Sequence, residues 1–103
     1  MRILKLSNLQ SLIIDAIGAG CVSGRDLRER LKAAGAKKSG PSFYQAMSRL
    51  EDSKFVHGEY RQKIVDGHIF KERFYKVTAP GHEALAETVR LYKDLPRLGG
   101  AYA

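Results

Sequence analysis

Leu9, Leu12, Ile13, Ala16 and Ile17 recur at three- and four-residue intervals, the spacing that gathers side chains on one face of an α-helix. Ser7 and Gln10 stand where a capping box opens such a helix, and Gly18 and Gly20 close it. A second stripe, Leu27, Leu31 and Ala34, follows Ser23. Asp26 is its capping partner, Val22 and Leu27 have the spacing of a hydrophobic staple, and Gly35 ends it. Phe43, Ala46, Met47 and Leu50 form a third stripe, with Ser39 or Gly40 as cap and Pro41 in the first turn. This predicts a helix over 41–53. A fourth begins at Thr78-Ala79-Pro80-Gly81 and carries Ala84, Leu85, Thr88, Tyr92 and Leu95 on one side. Val89 and Leu91 widen its apolar surface, and Pro96 and Gly99-Gly100 are expected to stop it.

Between the third and fourth stripes the period changes. Asp66-Gly67 is a preferred type I′ turn, because both residues tolerate positive φ. A turn there fixes one register for strands 55–65 and 68–77. Val56 falls opposite Val77, Gly58 opposite Tyr75, and Ile64 opposite Ile69. Tyr60 meets Arg73 as a cation–π pair, and Arg61 meets Glu72 as an opposite-charge pair. A slip of one residue would turn every side chain to the wrong face. The distal half, with Arg61, Gln62, Lys63, His68 and Lys71, is polar and basic and projects as a wing.

The order helix, helix, basic turn, helix, hairpin, helix predicts an α+β, mainly α winged helix-turn-helix. It has three helices, a two-stranded wing and one C-terminal helix for dimerisation. The expected divisions are 1–78 for the winged domain, 79–95 for the dimerisation helix packed on it, and 96–103 for a flexible tail. No internal repeat or low-complexity segment interrupts this pattern.

Charge alters the picture. The chain has 103 residues and a net charge of +7. Residues 37–76 hold nine of its basic groups against five acidic ones, whereas residues 77–103 carry three of each. The excess therefore lies in the basic turn, third helix and hairpin, where a polyanion such as double-stranded DNA would use it. A single cysteine, Cys21, excludes an intramolecular disulfide and fits a reducing cytoplasm. No signal peptide or membrane-spanning stretch is read, and no membrane partner is expected.

The third helix presents Ser42, Tyr44, Gln45, Ser48 and Arg49 opposite its apolar stripe. Ser42, Gln45 and Arg49 share one arc. Gln can bridge an adenine edge and Arg can fork onto guanine, so these three are the expected base readers. Lys37, Lys38, Ser39, Tyr44 and Ser48 are expected on the DNA backbone, and Arg61, Lys63, Lys71 and Arg73 as wing contacts. The surplus apolar surface of the first and last helices, Leu9, Leu12, Leu85, Val89 and Tyr92, is the expected homodimer interface.

SGRDLRERLKAAGAKKSGPSFYQAMSRLEDSKFV and the later FYKVTAPGHEAL resemble the winged-helix core of PadR-like transcriptional regulators. The matching features are the small cap Ser39, Tyr44 early in the third helix, Leu50-Glu51 near its end, and Tyr75 through Gly81 ending the wing. Val77 replaces the usual Leu, and Gly40-Pro41 inverts the more usual Pro-Gly order. The resemblance spans about residues 8–95. It implies a DNA-binding transcription regulator, specifically a repressor acting as a homodimer.

His57, His68, His82 and Cys21 lack metal-ligand spacing, and no nucleophile–base arrangement or phosphate-binding Gly-rich loop is present. Neither a metal, a cofactor nor an enzymatic activity is expected, and the sequence identifies no small-molecule effector. The alternative is a winged helix serving protein–protein interaction without sequence-specific DNA binding. An RNA-binding winged helix also remains open.

Overall fold

The computed structural model describes the backbone over residues 6–98 and side chains over residues 6–91. Within these residues four helices and three strands follow in the order α1 (Asn8–Ile17), β1 (Cys21–Ser23), α2 (Gly24–Ala33), α3 (Gly40–Asp52), β2 (Val56–Val65), β3 (His68–Val77) and α4 (Ala79–Leu98). The strands form one antiparallel sheet in the order β1-β3-β2.

The helix starts obey their capping residues. Ser7 accepts from the Gln10 amide while the Gln10 side chain accepts from the Ser7 amide, completing the capping box of α1. Ser23 accepts from the Asp26 amide at the start of α2, and Ser39 from the Ser42 amide at the start of α3. The helix ends use left-handed residues. At the end of α2, Ala36 donates to Leu31 and Gly35, with φ +82°, to Lys32. At the end of α3, Phe55 donates to Leu50 and Lys54, with φ +66°, to Glu51. Both patterns are Schellman motifs, which satisfy carbonyls that the helix leaves free. Arg30 donates to the Ala16 carbonyl at 2.7 Å, tying α2 to the end of α1.

The hairpin has the register that its turn dictates. Val56 pairs with Val77, Gly58 with Tyr75, Tyr60 with Arg73 and Ile64 with Ile69. Asp66 and Gly67 take φ +52° and +79°, as a type I′ turn requires.

One core lies between α1, α2, α3, the base of the hairpin and α4. Ile13, Ile14, Ile17, Val22, Leu27, Leu31, Phe43, Met47, Leu50, Val56, Tyr75, Val77 and Ala84 are all buried in it. Removing this much apolar surface from water is the main force holding the helices on the sheet. Helix α4 is locked at both ends of its described side chains. The Thr78 hydroxyl donates to the Lys54 carbonyl and accepts from the Gly81 amide. A Cβ on Gly81 would collide with the Phe55 carbonyl, so only glycine allows this approach. Further along, the buried Thr88 hydroxyl accepts from the Leu6 amide and donates to the Ala84 carbonyl, stitching residue 6 to the last helix.

The two-stranded wing forms as expected, and Cys21–Ser23 adds a third strand to the sheet by pairing with Phe74–Lys76. Three residues are too few to show a period. Three expectations need correction. Ala34 is exposed rather than part of the α2 stripe, since it is the residue at which the helix ends. Arg61 stands opposite Glu72 but pairs instead with Glu59, two residues along its own strand, at 2.9 Å, and its guanidinium stacks on Phe74. Helix α4 continues through Pro96 to Leu98. Proline's fixed φ is helical, so it removes one hydrogen bond without having to end the helix. Residues 99–103, the rest of the expected tail, lie outside the described residues.

Candidate nucleic-acid interface

The candidate site is built around α3. Phe43, Met47 and Leu50 anchor one side of it in the core. That orientation turns Ser42, Gln45 and Arg49 outward, and Ser42 and Arg49 are exposed while Gln45 is exposed beside them. They lie at i, i+3 and i+7, one arc of the helix surface. Among the described residues, Arg49 makes no ion pair within 4.0 Å. Its five donors are thus available to an external acceptor.

Tyr44 and Ser48 sit on the neighbouring arc and face the hairpin. With Glu51 they form one wall of an open groove, and Tyr60, Lys71, Arg73 and Tyr75 form the other. Across this groove Arg73 donates to Glu51. The same guanidinium lies 4.7 Å from the Tyr60 ring centre and 5.8 Å from that of Tyr75. Burial works against the charge of Arg73, but its contact with Glu51 outweighs it and raises the pKa. Gly58 makes room for this clamp. A Cβ there would overlap the Glu51 carboxylate, with Arg73 Nη2 2.9 Å away. Arg73, expected as a wing contact, is therefore already partnered within the protein and joins the wing to the end of α3.

The remaining wing residues divide between the faces. Lys71 lies on the α3 side, whereas Arg61 and Lys63 lie on the opposite side by strand alternation. Arg61 is occupied by Glu59, Phe74 and Cys21 Sγ, the last at 3.5 Å. Lys63 and Lys71 are exposed.

A second cavity, of about 310 Å³, opens on the other flank of α3. Lys37 and Lys38 of the basic turn line it, together with Arg25, Arg28, Glu29 and Lys32 from α2. The Arg28 guanidinium stands 5.8 Å from the Phe43 ring centre and within about 4 Å of where a Cβ on Gly40 would lie. It therefore reaches the N-terminus of α3, where the helix dipole also favours an anion. The α2 cations were not among the expected contacts. Their signal was present, since Arg25, Arg28 and Lys32 lie at i, i+3 and i+7.

The expected association surface is partly drawn together. Leu12 of α1 and Leu85 and Val89 of α4 line a shared groove with Asn8, Ser11, Asp15 and Thr88. Leu12 and Val89 are exposed, while Leu9 and Leu85 are half-buried and pack on the core. The Ser11 hydroxyl is buried without a hydrogen-bond partner among the described residues. The Tyr92 side chain lies outside the described residues. No group of three His, Cys, Asp or Glu side chains that could hold a metal occurs among the described residues. Likewise, no helix there is long and apolar enough to cross a membrane.

Three outward polar positions on α3, a cationic cavity beside it and a β-hairpin wing define the winged helix-turn-helix class. Solved structures with this fold are close in shape. A PadR-like transcription factor from Bacteroides fragilis superposes with a TM-score of 0.76 at 20% identity, over 92% of this chain and 89% of that one. A PadR family transcription regulator from Clostridium difficile gives 0.77 at 14% identity, over 93% and 98%. Bacillus subtilis PadR, solved in complex with operator DNA, gives 0.64 at 20% identity, over 80% of this chain and 46% of that one. No protein-family model and no curated protein matches the sequence. The fold is thus the one seen in PadR-family structures, in keeping with the motifs around Tyr44, Leu50-Glu51 and Thr78–Gly81.

Proposed function

We propose that the protein is a sequence-specific, double-stranded DNA-binding transcription regulator that represses its targets as a homodimer in the cytoplasm. The observation that carries this reading is the outward arc Ser42–Gln45–Arg49, set between two cationic flanks. In this reading α3 enters the major groove and those three side chains read base edges. Lys37, Lys38, Ser39, Tyr44 and Ser48 hold the phosphate backbone, which fixes register without reading sequence. Lys63 and Lys71 extend the contact along the wing, and Arg73 orients it. Residues 1–78 bind DNA. Helices α1 and α4 pair with their copies through Leu9 and Leu12 of α1 and Leu85, Val89 and Tyr92 of α4. The neutral charge of residues 77–103 supports that pairing, because a neutral segment self-associates without repulsion. The operator complex of the Bacillus subtilis relative supports DNA binding.

Selection from random duplex DNA, with binding followed against salt, tests the reading. The expected result is a pseudo-palindromic motif whose two half-sites lie about one helical turn apart, bound with a steep salt dependence. No enriched motif together with a flat salt response overturns it.

A further inference from the structure

The hairpin extends well past the core, and the strand residues next to its turn are apolar. Ile64 is 72% exposed, Ile69 66%, Phe70 51% and Val65 41%. These four residues flank the Asp66-Gly67 turn and have no opposite layer to cover them. Solvent-exposed apolar hairpins invite edge-to-edge association, and sequences normally break them with charge. Here the charge is placed behind the tip instead. Lys71 follows on the α3 side and Lys63 on the other, while Asp66 is confined to the turn. His68 packs edge-on against Phe70, with ring centres 6.5 Å apart.

The Ile64–Ile69 pair points to the same side of the hairpin as Tyr60, Arg73 and Tyr75, the side that forms the groove with α3. The Glu51–Arg73 clamp fixes the hairpin against α3 at the Tyr60–Arg73 pair. From there to Ile64–Ile69 is four residues, about 14 Å at the usual strand rise. Adjacent major and minor grooves are separated by half a helical turn, roughly 17 Å. A tip about 14 Å beyond the clamp is long enough to approach a groove next to the one that α3 would occupy, with Lys71 on the face of the apolar pair and Lys63 on the other.

We propose that Ile64 and Ile69 form an apolar wedge that enters the minor groove, unstacks one base step in each half-site and kinks the duplex. The inference rests on the DNA-binding reading above. Apolar side chains act this way in minor-groove proteins, where the cost of unstacking is offset by the contacts that the bend permits. Flexible pyrimidine–purine steps are the expected points of insertion, since they open most easily. The wedge thus adds a sequence preference at positions where no hydrogen bond reads a base.

The test uses the full chain and the duplex enriched by selection, labelled at its ends for energy transfer and with 2-aminopurine at successive steps. Wild-type protein should bring the ends together and brighten the probe at one step per half-site. The doubly substituted chain, Ile64→Ser with Ile69→Ser, should keep its circular dichroism and salt slope. It should bind about tenfold more weakly and leave the DNA straight. Bending without any brightened step, or equal bending by the doubly substituted chain, overturns the wedge while leaving DNA binding intact. So does wild-type binding to phosphatidylserine vesicles that the double substitution abolishes, combined with an unbent duplex. Enrichment of no duplex at all removes the DNA-binding reading and the wedge together.

Discussion

At its base the hairpin sinks Val56, Tyr75 and Val77 into the core, whereas at its tip Ile64, Val65, Ile69 and Phe70 stand in solvent. The two halves share one register and both carry apolar residues, so the apolar positions alone do not separate them. What separates them is the opposite layer. Helix α3 covers the base with Phe43, Met47 and Leu50, and Glu51 clamps Arg73 midway along the strands. Apolar residues at the base therefore hold the fold, and those at the tip are free for a contact outside it.

The largest expected effect is a contrast in stability between the halves. Tyr75→Ala removes a buried ring and should cost about 3–5 kcal/mol, and Leu50→Ala in the same core about 2–5 kcal/mol. Ile69→Ala should stay within about 0.5 kcal/mol of wild type. Urea denaturation measures all three. An Ile69→Ala loss comparable to that of Tyr75→Ala would mean that the tip is packed and the comparison is mistaken.

A smaller effect is expected at the boundary. Glu51→Ala leaves Arg73 half-buried without its acceptor and should cost about 1–3 kcal/mol. It should also broaden the amide resonances of Tyr60 and Arg73 while leaving those around Ile13 unchanged. Unaltered wing resonances would show that the clamp does not set the hairpin's position.

The smallest effect concerns pH. Burial raises the Tyr75 hydroxyl above its ordinary value of 10.0, with Arg73 acting in the opposite direction. The folded state thus holds that proton more tightly than the unfolded one. Its contribution is fully present below pH 10.0 and is lost as pH rises through the higher folded value. Tyr75→Phe should lessen the fall in melting temperature above that pH. An identical alkaline fall in both proteins would exclude Tyr75 as its source.

The legible parts of the fold are those specified by local chemistry. Ser7, Ser23 and Ser39 announced three helix starts, and Asp66-Gly67 fixed every pair of the hairpin. The polar arc of α3 was equally legible, because its apolar stripe determines which side is left outside. Features created by contact between distant segments were not. Strand β1 exists only through its pairing with β3, and Glu51 meets Arg73 across 22 residues of sequence. Gly58 was the one local hint of that clamp, a missing side chain on the face that α3 approaches. Arg61 shows the opposite failure: opposition across strands permits a pair with Glu72, but a nearer carboxylate on its own strand takes the guanidinium.

DNA readout rests on the outward arc of α3, and Arg49→Ala measured against selected and random duplexes tests it most directly. Preference at one base pair should fall by about 1–3 kcal/mol while random-sequence binding changes little. Lys63→Ala, as its counterpart, should weaken all duplexes alike and lower the salt slope by about one unit. An Arg49→Ala protein that loses selected and random binding equally, with its base preference intact, would contradict the assignment of that arc as the surface that reads DNA.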